Sequence, residues 1–153
     1  LKILSLGCEF NQSIENIKFP NNLKNIYFSR KFNQDISKVI FPDSLEGIVF
    51  GQNFNQNIDI LGNLLNLKKL VFLNKSFNQK IDYLPENLTS LSIYNYEYKY
   101  SLNNLPCNLY FLYISSKVIK IYNLPKSLKI LYCYRNIIDS EILENITEYR
   151  ELL

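Results

Sequence analysis

Two pieces of one stretch decide the fold: Phe32-Asn33-Gln34-Asp35-Ile36, then Phe41-Pro42-Asp43-Ser44-Leu45-Glu46-Gly47-Ile48-Val49-Phe50. The second ends as Leu-x-x-Φ-x-Φ, with Φ apolar: Leu45, Ile48 and Phe50. Alternation over the last three residues is that of a short strand, Ile48 and Phe50 facing inward and Val49 outward. One such strand cannot bury its apolar face alone, so the pattern has to recur if it is to be stable.

It recurs along the chain. Leu1-Leu4-Leu6, Leu23-Ile26-Phe28, Leu67-Leu70-Phe72, Leu88-Leu91-Ile93, Leu109-Leu112-Ile114 and Leu128-Leu131-Cys133 match Leu45-Ile48-Phe50. The leading leucines step by 22, 22, 22, 21, 21 and 19 residues. Copies at near-constant spacing stack into one parallel sheet, each coil covering its neighbour's core. At about 4.8 Å per strand, seven coils span roughly 30 Å.

Two marks travel with this period. An Asn or Ser precedes each later leading Leu (Asn22, Ser44, Asn66, Asn87, Asn108, Ser127), with Pro20, Pro42, Pro85, Pro106 or Pro125 two residues before it and Leu64 as the exception. Proline cannot donate a ladder hydrogen bond, so it belongs in the corner leading into the strand, where the Asn or Ser can bond to local backbone. The second mark is Phe-Asn-Gln, beginning at Phe10, Phe32, Phe54 and Phe77, with Ile14, Ile36, Ile58 or Ile81 four residues on. We expect this Phe to plug the coil interior and the Ile to fill its far wall. The Asn, carrying both donors and an acceptor, is expected to form a ladder that satisfies turn backbone.

Composition bears on function chiefly through what it lacks. There is no His, the commonest general base near neutral pH and a frequent metal ligand. Seventeen basic and fourteen acidic residues, interspersed, give a formal charge of +3, too little to suggest nucleic acid. Cys8, Cys107 and Cys133 lack any Cys-x-x-Cys spacing, so neither zinc nor a disulfide framework is indicated, and Cys133 is expected as a buried thiol at a core position. No apolar run is long enough to span a membrane. Glu46, Asp59, Asp82 and Glu86 show no catalytic spacing. We therefore expect no enzyme, cofactor, metal or small-molecule substrate, no nucleic-acid or membrane partner, and a cytoplasmic location. The alternative is a secreted or surface recognition protein, to which the sequons at Asn11, Asn87 and Asn145 would belong. Richness in Asn and Tyr without Ala matches an AT-rich coding sequence, which lowers the weight of any single such residue.

Phe-Asn-Gln-x-Ile, followed by apolar-Pro-x-(Asn/Ser)-Leu-x-x-Φ-x-Φ on a period near 22, resembles the FNIP repeat family, relatives of leucine-rich repeats. The match is specific in the first four coils, which carry Phe-Asn-Gln; Tyr98-Lys99-Tyr100 holds its place in the fifth, and coils six and seven keep only the corner and strand. The resemblance implies a non-enzymatic interaction module, often accompanied by an F-box in the same polypeptide and presenting targets to a ubiquitin ligase. The expected fold is thus a mainly β, leucine-rich-repeat-like solenoid of about seven coils over residues 1–138. Asp139-Ser140, Glu141 and the spacing of Ile142, Ile146, Tyr149 and Leu153 predict a capping helix over 139–153 in the same domain, the start of a following domain being the other reading.

In such solenoids the outward strand positions line one face, usually the concave one. We expect Tyr27, Val49, Val71, Tyr94, Phe111, Tyr113, Tyr132 and Tyr134 to lie there and to bind a protein. The competing reading is that Tyr is simply favoured in strands.

Overall fold

The computed structural model describes residues 1–153 except Asn74, Asp139 and Leu153, and except the side chains of Ser140, Glu141 and Ile142. It is a solenoid with a single parallel sheet of eight strands in chain order. These are β1 Ile3–Ser5, β2 Asn25–Tyr27, β3 Gly47–Phe50, β4 Lys69–Phe72, β5 Ser90–Ile93, β6 Phe111–Ile114, β7 Ile130–Cys133 and β8 Glu148–Glu151. Register follows the repeat: Leu4, Ile26, Ile48, Leu70, Leu91, Leu112, Leu131 and Tyr149 pair in one row through the stack.

The turn into each strand is closed by a backbone bond from the leading Leu to the residue three before it. Leu23, Leu45, Leu88, Leu109 and Leu128 donate in this way to Pro20, Pro42, Pro85, Pro106 and Pro125. Proline serves here because only its carbonyl is needed. The Asn and Ser beside the leading Leu act across coils rather than locally: Ser44 Oγ donates to the Leu23 carbonyl, Asn66 Nδ2 to Asp43 and Asn87 Nδ2 to Leu65. The expected local bond is corrected accordingly: these side chains bond to carbonyls of the coil beneath.

Two aromatic columns run through a core that is otherwise mainly Leu and Ile. Phe10, Phe32, Phe54, Phe77 and Tyr98 stack one above another with ring centroids 6.0–6.4 Å apart. Beside them Phe28, Phe50 and Phe72 form a second column at 4.9 and 5.4 Å, and the columns touch at 3.8 Å between Phe50 and Phe54. In the later coils Ile119 and Ile137, both buried, follow the strand at the spacing the Phe has in the earlier ones. The Asn ladder forms as well: Asn11, Asn33 and Asn55 each accept, through Oδ1, the backbone N–H of the next coil's Asn at 2.8–2.9 Å. The following Gln reinforces it by donating Nε2 to the same oxygens.

The terminal segment departs from expectation. A short 3-10 turn, Ser140–Asn145, is followed by β8, not by a capping helix. Ile146 donates to the Leu143 carbonyl as the earlier leading leucines do to proline, and Thr147 Oγ1 donates to Lys129 as Thr89 does to Lys68. This is an eighth coil, begun 18 residues after Leu128. The expected cap residue Asp139, and Leu153, lie outside the described residues. No helix among those described is long and apolar enough to cross a membrane.

Candidate functional site

Because side chains alternate along a strand, the sheet has one face turned into the coils and one turned out. The middle outward row runs Ser5, Tyr27, Val49, Val71, Ser92, Tyr113, Tyr132 and Arg150, in register from β1 to β8. Phe111 lies in the row beside it, paired with Ser90 and Ile130. Tyr94, just past β5, lies beyond the middle row on the other side.

The aromatic residues gather over the later coils. Tyr94 stacks on Tyr113 with centroids 4.2 Å apart, and Tyr132 meets Phe111 and Tyr113 edge-on at 5.5 and 6.4 Å. At the end of the row Tyr132 donates its hydroxyl to the Glu148 carboxylate, and Arg150 lies over its ring at 5.4 Å. The Tyr113 hydroxyl is held protonated by partial burial and by the neighbouring Tyr94 hydroxyl; that of Tyr132 by its bond to Glu148. Both rings therefore offer an apolar body and a neutral hydroxyl.

The expected strip is not uniform. Tyr27 and Tyr94 are 42% and 38% exposed, and Val49, Phe111, Tyr113 and Tyr132 are half-buried. Val71 is buried, and Tyr134 belongs to the core at 9% exposure, with the Lys117 ammonium 4.5 Å from its ring centre. Tyr134 is thus corrected from a face residue to a mainly packing one. An open groove of about 560 Å³ lies over the middle strands between Tyr27 and Phe111, lined also by Val49, Val71, Ser92 and Lys69. Leu73, 47% exposed, borders it next to Tyr94. It holds the same place relative to β4 as Tyr94 does to β5, one residue beyond the reach of the alternation within the strand.

The carboxylates divide. Glu46 pairs with Lys24 at 2.7 Å, and that bond holds its carboxyl below the usual range. Asp59, Asp82 and Glu86 surround a shallow cavity on another part of the surface, a proximity that their sequence spacing did not suggest. Among the described residues no group of His, Cys, Asp and Glu is placed to hold a metal ion.

Strands in register, leading leucines and a single parallel sheet define a leucine-rich-repeat-like solenoid. A family model described as FNIP Repeat matches residues 32–62, which carry the complete motif once and its Phe-Asn-Gln-x-Ile half a second time. Three solved chains match. One is described as CroV588, a novel circular LRR protein: identity is 22%, the match covers 99% of this chain and 33% of that one, and the TM-score is 0.50. That likeness is one of fold, and the chain spans about a third of that structure's length. No curated protein matches the chain.

Proposed function

We propose that the chain is a non-enzymatic interaction module of the cytoplasm that holds a protein partner on the outward face of its sheet. The observation that carries this reading is the cluster of Tyr94, Phe111, Tyr113 and Tyr132, partly open to solvent beside a groove. Rings of this kind supply large contact area at low entropy cost, and solenoids provide extended surfaces for such contacts. Three thiols without a disulfide support a reducing compartment. The finer reading is target presentation to a ubiquitin ligase; the FNIP motif supports it, and an F-box elsewhere in the polypeptide would be required.

The test is affinity capture from host-cell lysate with the native chain and with Tyr113→Ala/Tyr132→Ala. A partner held by the first and lost by the second, with both chains melting within a few degrees of one another, is the expected result. Equal capture by both overturns the assignment of the face. Ligase subunits co-purifying with the full-length protein, and not with one lacking its F-box, would support the finer reading.

A further inference from the structure

The middle outward row has large rings at Tyr27 and again at Tyr113, and between them only Val49, Val71 and Ser92. The recess extends over four strand spacings, about 19 Å, the length of about six residues of extended chain. Its floor, two valines and a serine, is small and mainly apolar, so it fits an aliphatic side chain entering from outside.

Charge is distributed unevenly around it. The outward strand positions and the residues just before the strands carry six cations, Lys2, Lys24, Lys68, Lys69, Lys129 and Arg150, against two carboxylates, Glu46 and Glu148. The remainder of the chain carries eleven cations and twelve carboxylates. The whole positive excess therefore lies along this face and the strand entries beside it. Among the described residues only Lys24 of these six is ion-paired, to Glu46; Lys69 lines the recess, Lys68 lines the adjoining groove that shares Ser90 and Phe111 with it, and both lysines are exposed.

Building on the proposed interaction face, we infer that its occupant is an extended acidic peptide segment, one aliphatic side chain seated over Val49, Val71 and Ser92 and flanking carboxylates meeting Lys68 and Lys69. A single-stranded nucleic acid would also meet aromatic rings and lysines. The observations favour the peptide, because the recess is floored by valines and because Tyr94 and Tyr113 stack on each other instead of standing apart to receive bases.

The experiment selects binders from a library of random short peptides on the immobilised chain and measures them by fluorescence anisotropy beside an oligothymidylate probe. Selected peptides are expected to place Asp and Glu around one Leu, Ile or Val. Each is expected to weaken about tenfold on Lys68→Glu/Lys69→Glu and to lose affinity as salt is raised. Val49→Tyr, which puts in the recess the residue the same row holds at Tyr27 and Tyr113, should weaken them comparably without loss of fold. Basic or uncharged binders that Val49→Tyr displaces would leave the interaction face standing and overturn its acidic specificity. Binders indifferent to both Val49→Tyr and Tyr113→Ala/Tyr132→Ala would overturn the face itself. Tighter binding of the oligonucleotide, or no selected peptide at all, would overturn the peptide assignment.

Discussion

At the scale of single residues the aromatic plugs carry the clearest cost. Phe32 is fully buried, with Phe10 and Phe54 stacked on either side and Phe28 4.4 Å away. Phe32→Ala removes contacts with three rings at once and should cost about 3–5 kcal/mol in chemical denaturation, as large core truncations do. An unchanged midpoint would place this ring outside the interior. Gly51 follows a different rule, since a Cβ there would run into the backbone carbonyl of Ser29 in the coil beneath. Cys133 makes a pH prediction. Burial pushes its thiol up to about 12 from an ordinary value of 9.0. The fold thus prefers the neutral thiol, and this contribution is complete below about pH 9 and is lost as pH rises towards 12. Melting temperature should fall across that window, less steeply in Cys133→Val; the buried Tyr98 hydroxyl, also raised by desolvation, keeps part of the slope. Below it, a thiol reagent should titrate only Cys8 and Cys107 until the chain is unfolded.

The coil is the element that matters here, and its internal logic was legible where spacing alone decides position. Leu45, Ile48, Phe50 and Phe54 are all buried where the repeat put them. Partners were less legible, because a period says where a residue recurs and not which coil it bonds to; hence the Asn and Ser bonds between coils. The eighth coil was hidden for a physical reason too. Ile146 stands in for the leading Leu, Leu143 for Pro, and Glu151 for the last apolar residue, while Ile142, Ile146 and Tyr149 also satisfy a helical period. The site was legible only as a list of outward positions: its recess and the burial of Tyr134 depend on how neighbouring rings pack. The Asn ladder yields a prediction at this scale. Asn55→Ala leaves the half-buried Asn78 N–H without its acceptor, and Gln79 with one carbonyl partner fewer, at a cost of about 1–3 kcal/mol. Asn11→Ala makes the same deletion where water can replace the oxygen, and should cost well under that. Equal shifts in urea midpoint for the two variants would show that ladder burial contributes nothing.

Across the whole molecule, each coil touches only the coils before and after it, so stability should be distributed along one dimension. The strand register supports this, since every strand pairs solely with its sequence neighbours. In β2 through β7 the inward residues Ile26, Ile48, Leu70, Leu91, Leu112 and Leu131 are fully buried, whereas Leu4 of β1 and Tyr149 of β8 are only half-buried. Within residues 1–153 taken alone, β1 and β8 therefore gain less from packing and should open first, as elements with fewer buried apolar contacts do. Native-state hydrogen exchange followed by mass spectrometry is expected to show protection highest from β3 to β6 and falling towards both ends. Two truncations then separate a stack from a single cooperative core. Ile146→Ala should raise exchange in β8, and in β7 to a smaller degree, while leaving β3 unchanged. Phe54→Ala, in the middle, should weaken the coils on both sides, because its ring stacks between Phe32 and Phe77 and touches the second column at Phe50. If Ile146→Ala accelerated exchange equally in every strand, the coils would be unfolding as one unit, and the proposed face could not keep its middle recess formed while its ends fray.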